Sequence, residues 1–202
     1  ENVRNGDHEV LIVDGGSHDK TVSYAKECGF TVLSSKPGRG AQLNQGALVA
    51  KGSILLFLHA DTRLPMGFSS TVLSTLGNSN NIAGAFRLAI EDATPAMRFI
   101  CACANMRSSL LQLPYGDQAI FISKKDFIRI GKYPELPIME DYIFIRNAKN
   151  YGKIALCRER VHTSARRWLK RGVLGTTLIN QIVILGYYCK IPLEKLALFY
   201  RR

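Results

Sequence analysis

The chain has 202 residues, 47% hydrophobic and 21% charged, a balance that fits one globular domain with a packed core and excludes a disordered chain. Its five cysteines are an odd number without a Cys-x-x-Cys pair, which argues against a disulfide-built secreted fold or a structural zinc site and favours a cytoplasmic location. The net charge of +11 comes from residues 121–202, which hold 17 Lys/Arg and 6 Asp/Glu, so this half is expected to attract an anionic partner.

The first third of the chain alternates between apolar runs and helical patterns. The predicted strands are residues 9–13, 30–33 and 53–58, and the predicted helices are residues 19–26 and 41–50. Strands that are apolar along their whole length are typical of parallel sheets with helices on both faces. The pattern therefore predicts an α/β fold with a mostly parallel central sheet. Ligands of such sheets bind beyond the carboxyl ends of the strands, where Asp14 and Asp61 fall.

The rest of the chain continues the alternation and then becomes helical. Helices are predicted at residues 66–76, 96–113 and 140–150, and strands at residues 83–88, 119–123 and 153–157. From Ser164 onward the pattern is helical throughout. We therefore expect one domain, residues 1–163, followed by a basic and hydrophobic helical tail, residues 164–202. The first eight residues contain no apolar stretch, so no signal peptide is expected.

The tail contains a long uncharged segment, residues 172–189, with Lys/Arg on both sides. A bilayer span takes about 20 mostly apolar residues, and this segment is shorter and interrupted by polar side chains. Three alternatives remain open: a helix lying in the membrane interface, a helix packed on the protein or in a homodimer, and, least favoured, a true span.

Two clusters of acidic residues follow predicted strands. Asp14-Gly-Gly-Ser-His-Asp19 places a carboxylate before glycines, which allow a ligand to approach the backbone, although a plain turn capped by Asp19 explains it as well. His59-Ala-Asp61 offers a hard oxygen ligand of the kind that Mg²⁺ or Mn²⁺ prefers, or a cap of the next turn.

Two further clusters lie in the basic half. Glu140-Asp141 could supply a general base beside bound phosphates, or could simply favour the start of a helix. Thr163-Ser-Ala-Arg-Arg-Trp168 combines two arginines suited to phosphate with the one tryptophan, or forms a surface cation–π pair. No zinc-finger spacing or aromatic RNA-binding pattern accompanies the charge, so a nucleic acid is not expected as a partner.

Together these motifs resemble glycosyltransferase family 2, inverting enzymes with the GT-A fold. Gly38-Arg-Gly-Ala-Gln-Leu-Asn-Gln-Gly-Ala47 looks like the family's basic-glycine segment, His59-Ala-Asp61 like its Asp-x-Asp motif, and Met139-Glu-Asp141 like its x-Glu-Asp motif. The closest likeness is to the arsenosugar-biosynthesis-type subgroup, whose signatures stand here as residues 56–62, 115–118, 163–168 and 196–201. The similarity covers essentially the whole chain.

The resemblance implies a role for each matching residue. Asp141, with Glu140, would deprotonate an acceptor hydroxyl, and Asp61 would hold Mg²⁺ or Mn²⁺ on the diphosphate of a UDP- or GDP-type sugar donor. Asp117, Gln118 and Trp168 would contact the acceptor or the donor sugar. The remaining donor-binding residues implied by the family are Asp14, Gly16, Arg39, Asn44, His59, Arg166 and Arg167.

Three departures from the family pattern modify this prediction. His59 replaces the first aspartate of Asp-x-Asp, and Ser164 stands where processive members carry glutamine, which favours transfer of a single sugar. The family's first strand is expected to be missing, because only eight residues precede Glu9. The alternative function is a catalytically silent domain that serves as a membrane or protein interaction module. An active enzyme would be cytoplasmic, or peripheral at the inner face of the membrane.

Overall fold

The computed structural model describes residues 8–201, with the side chain of Arg201 left out. The strands of this range form two hydrogen-bonded sheets. A parallel pair joins β1, Leu11–Asp14, to β2, Thr31–Ser34. The larger sheet has the order β3-β6-β5-β7-β4. Its strands are β3 Ile54–Leu56, β4 Thr62–Arg63, β5 Asn81–Ile90, β6 Phe121–Ser123 and β7 Lys153–Thr163.

The helices of the described residues surround these sheets. The first six are α1 Thr21–Glu27, α2 Arg39–Val49, α3 Phe68–Gly77, α4 Pro95–Leu111, α5 Lys124–Ile130 and α6 Glu140–Ala148. The last three are α7 Arg166–Arg171, α8 Val173–Tyr188 and α9 Leu193–Arg201. A 3₁₀ turn, Gly116–Gln118, precedes β6. None of the helices within residues 8–201 combines the length and the apolar character needed to cross a membrane.

Helices cover both faces of the larger sheet because side chains alternate along its strands. Ile122 on β6 points to a core that includes Phe127 of α5 and Phe144 of α6. Its neighbour Phe121 points to the opposite face, where Phe68 of α3 packs. All but one of these side chains are completely buried, and Phe68 is 9% exposed. Their burial supplies the main stabilisation of the fold, since apolar area removed from water is the dominant favourable term.

The predicted α/β fold with helices around the sheet is confirmed, with a correction to the sheet itself. Three of the five strands of the larger sheet, β3, β5 and β7, run in the same direction. However, β6 is inserted between β3 and β5, and β4 pairs with β7, so three of the four neighbouring pairs are antiparallel. Local hydrophobic pattern cannot reveal this order, because it encodes which face is buried and not which strand lies alongside.

The predicted boundaries need three changes. The prediction missed β4 and α5, which are short and carry charges, and ended the last strand at Cys157 although β7 continues to Thr163. The helical tail is confirmed as α7 to α9, while the division at residues 163 and 164 stays a prediction. The expected absence of a strand before Glu9 concerns residues that lie mostly outside the described range, and it also stays a prediction.

Candidate active site

The loop after β3 lies beside the 3₁₀ turn that precedes β6. Beyond the paired residues of these strands, the Phe57 N–H donates to the Ile120 carbonyl oxygen at 2.8 Å, so the two segments stay together past the end of the ladder. His59, which follows β3, therefore packs against Gly116 of the turn. Two of the sequence signatures thus meet at one edge of the sheet.

Gly116 lies between the side chains of His59 and Asp141. A Cβ atom on Gly116 would lie 2.9 Å from Nε2 of His59 and 3.2 Å from Oδ2 of Asp141, closer than ordinary contacts allow. The Gly116 N–H donates to the same Asp141 oxygen at 2.6 Å. Because glycine has no side chain, it lets the imidazole, the turn and the carboxylate approach one another this closely.

Two backbone amides hold the Asp141 carboxylate in one orientation. Oδ1 accepts the Tyr142 N–H at 2.7 Å, while Oδ2 accepts the Gly116 N–H. Asp141 lies in the first turn of α6, where the positive end of the helix dipole favours a carboxylate. Met139, just before α6, has a φ of 70°, a left-handed conformation that is costly for a residue with a side chain. Packing of Met139 with Tyr142 and Val183 sustains this strained start of the helix.

Asp117 and His59 are half-buried side chains near Asp141. Burial raises the pKa of Asp117 above its ordinary value, the neighbouring Asp141 adds to the rise, and His59 opposes it. Burial lowers the pKa of His59, and Arg39 lowers it further. Oδ1 of Asp117 is buried and has no hydrogen-bond partner within the described residues. A shifted carboxyl with an unused oxygen, beside a second carboxylate, is an arrangement that active sites use for proton transfer and hydroxyl binding.

Glu140 and Arg39 form an ion pair at the rim of this cluster. Glu140 is only 4% exposed, and its Oε1 lies 3.7 Å from Nη1 of Arg39, which starts α2. Burial raises the pKa of Glu140, and Asp141 raises it further. Asn44, five residues further along α2, exchanges two hydrogen bonds with the backbone of Tyr133, at 2.8 and 3.0 Å. Asn44 thus fixes the loop that leads to Glu140.

Asp61 stands next to the arginine-containing segment after β7. The Ser164 N–H donates to the Asp61 carbonyl oxygen at 2.9 Å, continuing the antiparallel pairing of β4 with β7. The Thr62 N–H donates to the His59 carbonyl oxygen at 3.1 Å, so the His59–Asp61 loop closes as a tight turn. The side chain of Asp61 is exposed and available to a ligand.

The sequence of the first part of the chain, which includes His59, Asp61, Gly116 and Asp117, matches a family model. The family model described as Glycosyl transferase family 2 matches residues 1–131, well over half of the chain. The chain belongs to glycosyltransferase family 2. This confirms the family-level resemblance that the motifs indicated, while the arsenosugar-biosynthesis subgroup stays a prediction.

Relatives and solved structures agree with this membership. A stretch of 59 residues is 42% identical to an uncharacterized glycosyltransferase of Mycobacterium tuberculosis (strain CDC 1551 / Oshkosh), covering 27% of this family 2 chain and 22% of the relative. Mannosyltransferase PcManGT from Pyrobaculum calidifontis, in complex with GDP-Man and Mn²⁺, superposes with a TM-score of 0.62 at 17% identity. That match covers 85% of this chain and 52% of the other.

A second solved structure gives the same result. Glucosyl-3-phosphoglycerate synthase from Mycobacterium tuberculosis, in complex with Mn²⁺ and UDP-glucose, has a TM-score of 0.58 at 18% identity, with 90% of this chain and 68% of the other covered. Identities this low show the fold alone, which is the GT-A fold. The matched stretch spans about a fifth of the curated relatives' length, and the chain covers 49% of the Staphylococcus aureus TarS fragment bound to UDP-GlcNAc.

The metal expected of this family 2 chain needs ligands with hard oxygens. No group of three or more His, Cys, Asp or Glu side chains within residues 8–201 could hold a metal ion. A three-residue cage is not required, because Mg²⁺-type sites at phosphates use one or two carboxylates together with the substrate's own oxygens. The exposed Asp61 carboxylate, in electrostatic contact with His59, fits such a site.

Arg167 is held by Tyr200 from α9. Its Nη1 donates to the Tyr200 hydroxyl, and its guanidinium carbon lies 4.4 Å from the centre of that ring. Nη2 is buried and has no hydrogen-bond partner within the described residues. Tyr200 also lies within electrostatic reach of Arg39, so α9 brings the two arginines to one region. A guanidinium with an unused donor is suited to a phosphate oxygen.

Three predicted residues have contacts other than those expected for substrate binding. Arg166 is exposed and lines a surface pocket with Glu91 and Asp92. Trp168 packs against an apolar cluster that includes Met97 of α4. Gln118 is fully buried, with its amide bonded to Ser108, to Tyr115 and to the Phe86 carbonyl oxygen. Through these hydrogen bonds Gln118 supports the turn that contains Gly116 and Asp117.

The Asp14 loop is held by its own backbone amides and by α2. The Asp14 carboxylate accepts the N–H groups of Gly16 and Ser17, at 2.9 and 3.0 Å. Hydrogen bonding from the Ser17 side chain, together with these two amides, lowers the pKa of Asp14. The loop is tied to α2 through Gln42, whose Nε2 donates to the Val13 carbonyl oxygen at 2.9 Å. Helix α2 is therefore the link between the Asp14 loop and the ion pair of Arg39 with Glu140.

Sequence reasoning missed the backbone and aromatic parts of the site. Gly116 stood inside a recognised signature, but its role as a spacer depends on two side chains from distant segments. Tyr115 is covered by the guanidinium of Arg107 at 3.5 Å, and nothing in the sequence marked that arginine. Tyr200 belonged to the recognised tail, but only the folded chain shows it beside Arg167.

Proposed function

We propose that the chain transfers a single sugar from a nucleoside diphosphate donor, of UDP or GDP type, to a hydroxyl acceptor with inversion. The observation that carries the proposal is the fixed Asp141 carboxylate beside the half-buried Asp117, whose Oδ1 is buried, with Arg39 nearby and Arg167 held by Tyr200. Membership of glycosyltransferase family 2 and the donors bound by the structural neighbours support it. A catalytically silent role is not favoured.

In the proposed reaction, Asp141 accepts the proton of the acceptor hydroxyl. Each oxygen of this carboxylate accepts one backbone amide and keeps a further lone pair, so it can take up a proton without losing its orientation. The acceptor oxygen then bonds to the anomeric carbon as the bond to the diphosphate breaks, and the electron pair leaves with the nucleoside diphosphate. Attack opposite to the leaving group inverts the anomeric centre.

The leaving diphosphate gains negative charge, which the site can offset. Arg167 offers its unpartnered Nη2 to a phosphate oxygen, and Arg39 adds a second positive charge nearby. A divalent cation such as Mn²⁺ or Mg²⁺ held by Asp61 would stabilise the same charge. Asp117 is proposed to bind a hydroxyl of the acceptor or the donor sugar through Oδ1. For Asn44 and Gln118 we propose supporting roles in place of direct contacts, and Asp14 with Gly16 is proposed to contact the nucleoside.

The Asp141→Asn variant tests the base. The amide keeps the shape of the side chain and an acceptor for the Gly116 N–H but removes the basic oxygen, so kcat should fall about 10²–10⁴-fold. Binding of the donor should change little, because the reacting proton belongs to the acceptor. The measurements are release of nucleoside diphosphate from UDP- and GDP-sugars with Mn²⁺, and thermal shift with each nucleotide.

Two further variants make this result specific. Glu159→Gln removes an exposed carboxylate on β7 and should leave turnover unchanged. Asp61→Ala should raise the KM for the donor and the Mn²⁺ concentration needed. Equal turnover by the wild-type chain and Asp141→Asn would contradict the proposed base, and an unchanged Mn²⁺ dependence in Asp61→Ala would contradict the proposed metal ligand.

A further inference from the structure

Helix α8 presents an uncharged apolar stripe to solvent. Leu174, Leu178 and Leu185 are 85%, 61% and 64% exposed, and Ile182 is 38% exposed. Their spacing of three or four residues places them on one face of the helix. None of the residues of α8, Val173–Tyr188, carries a charge. A helix on the surface of a protein ordinarily shows charged side chains to water, so this stripe indicates an interaction surface.

The opposite face of α8 is already used inside the protein. Val183 is 3% exposed and packs with Met139 and Tyr142, on either side of the two acids that begin α6. Gly186 is also buried, where it allows α9 to approach. The helix is therefore anchored by one face, and the stripe is a fixed feature of the folded chain.

Exposed cations stand at both ends of this stripe. Arg166 and Lys170 lie on α7, directly before α8, and Lys190 and Lys195 follow it. An apolar stripe with cations at its ends complements an anionic lipid surface, where leucines enter the boundary of the acyl chains and lysines meet the headgroups. None of the described helices could span a membrane. Such a contact is one in which α8 lies on the lipid surface.

A second copy of this chain fits the same face less well. In a two-fold dimer the same patch meets itself. Two antiparallel copies of α8 would bring the cations at one end of each helix toward the cations at the other end of its partner. Like charges placed together in an interface are unfavourable. An anionic surface, by contrast, attracts both ends at once.

We infer that α8 docks the protein on anionic membrane surfaces through Leu174, Leu178, Ile182 and Leu185. Because an α-helix is about 10–12 Å across, this docking holds the start of α6, with Glu140 and Asp141, about one helix diameter from the lipid. The inference goes beyond the proposed sugar transfer and does not depend on it.

The test compares Leu178→Glu with Leu73→Glu on α3. Both leucines are 61% exposed, and both substitutions change the net charge equally, so any difference reports the location of the side chain. Binding is measured by co-sedimentation with vesicles of phosphatidylcholine alone and of phosphatidylcholine mixed with phosphatidylglycerol. The wild-type chain should bind the mixed vesicles and release them as sodium chloride rises.

Leu178→Glu should weaken binding about tenfold or more, whereas Leu73→Glu should bind like the wild type. Circular dichroism checks that each variant is folded, and Leu185→Gln, a milder change on the same stripe, repeats the test without adding charge. Donor turnover without vesicles should be equal in all variants, which separates this inference from the proposed function. The inference is overturned by absence of binding to mixed vesicles, by equal effects of the two Glu variants, or by a dimer in light scattering that Leu178→Glu dissociates.

Discussion

At the scale of single residues, the candidate site depends on a position with no side chain. Gly116 separates His59 from Asp141 and also donates its N–H to the carboxylate. Asp117, the next residue, is half-buried, and its Oδ1 is a buried atom without a hydrogen-bond partner among residues 8–201. Such a group is costly to bury, and proteins keep costly groups mostly where function requires them. The turn at residues 116–118 therefore supplies both the glycine that spaces the site and the carboxyl group with the unpartnered oxygen.

Replacing Gly116 with alanine should damage the site more than the fold. The added methyl group would meet Nε2 of His59 at 2.9 Å and push the carboxylate of Asp141, and misplacement by about 1 Å can cost about 10²-fold in rate. Steady-state turnover measures the loss, and urea unfolding measures stability. Gly77→Ala, at the end of α3 with no atom within 4 Å of the new Cβ, is the control and should keep full activity. Similar kinetics in the two variants would refute the spacing role.

Replacing Asp117 with asparagine should stabilise the protein at neutral pH. The folded-state pKa of Asp117 lies above its ordinary value of 3.8, so above that value the unfolded chain loses the proton more readily than the native state, and stability falls as pH rises. Removing the carboxyl should raise the free energy of unfolding by about 1–3 kcal/mol at pH 7. The gain should vanish at pH values below 3.8.

Urea titrations across this pH range measure the effect of Asp117→Asn on stability. The exposed Glu159→Gln variant is the control and should shift the free energy of unfolding little at any pH. A neutral-pH stability of Asp117→Asn below that of the wild type would show that the carboxyl is compensated in the native state.

At the scale of elements, the C-terminal helices complete the site. Helix α8 packs behind the start of α6, and α9 supplies Tyr200, whose hydroxyl bonds Arg167 while its carbonyl oxygen accepts from Arg171 at 2.9 Å. The close approach of α8 and α9 requires Gly186, where a Cβ would lie 2.6 Å from Cδ2 of Leu196. The tail is thus joined to the domain by the same contacts that position an arginine.

Two glycines of α8 should respond with opposite signs to alanine. Gly175→Ala meets no atom within 4 Å and should stabilise the protein by up to about 1 kcal/mol, the difference in helix propensity. Gly186→Ala gains the same propensity but forces Leu196 aside, and overpacking of this kind costs about 1–3 kcal/mol. Urea unfolding gives the two free energies. Stabilisation by both substitutions would mean that α9 adjusts at no cost and that its position is not fixed by Gly186.

At the scale of the whole molecule, the two sheets differ in how they are held. The pair of β1 and β2 is attached through α2, by the bond from Gln42 and by packing of Gly46 against Val13, whereas the larger sheet has helices on both faces. Residues of β1 are half-buried, while Phe86 and Phe121 are completely buried. A two-stranded sheet with little buried surface is expected to open more readily.

Native-state hydrogen exchange should show this difference. Amides in β1 and β2 should open with a free energy roughly 2 kcal/mol or more below that of amides in β5 and β6, since few apolar contacts break when the pair detaches. Exchange followed by NMR or mass spectrometry measures both. Equal protection in the two sheets would show that they unfold as one cooperative unit.

The sequence by itself determined the class of fold, the family and the candidate acids. Apolar runs at residues 9–13, 30–33 and 53–58 marked the strands β1, β2 and β3, although β1 and β2 are less buried than such runs predict. Carboxylates such as Asp61 and Asp141 could be recognised because each stands in a short motif. The basic half of the chain and the uncharged segment that contains α8 could also be identified, since both are found by counting charged residues along the sequence.

Only the tertiary structure decided how these parts meet. It inserted β6 between β3 and β5, and it extended β7 past an irregularity at residues 157–159 to resume pairing with β5 at Arg160. It also buried Gln118, whose hydrogen bonds support the turn, and placed Gly116 between His59 and Asp141. The physical reason is that local periodicity specifies which face is buried, whereas strand neighbours and contacts between distant residues depend on the packing of the whole chain.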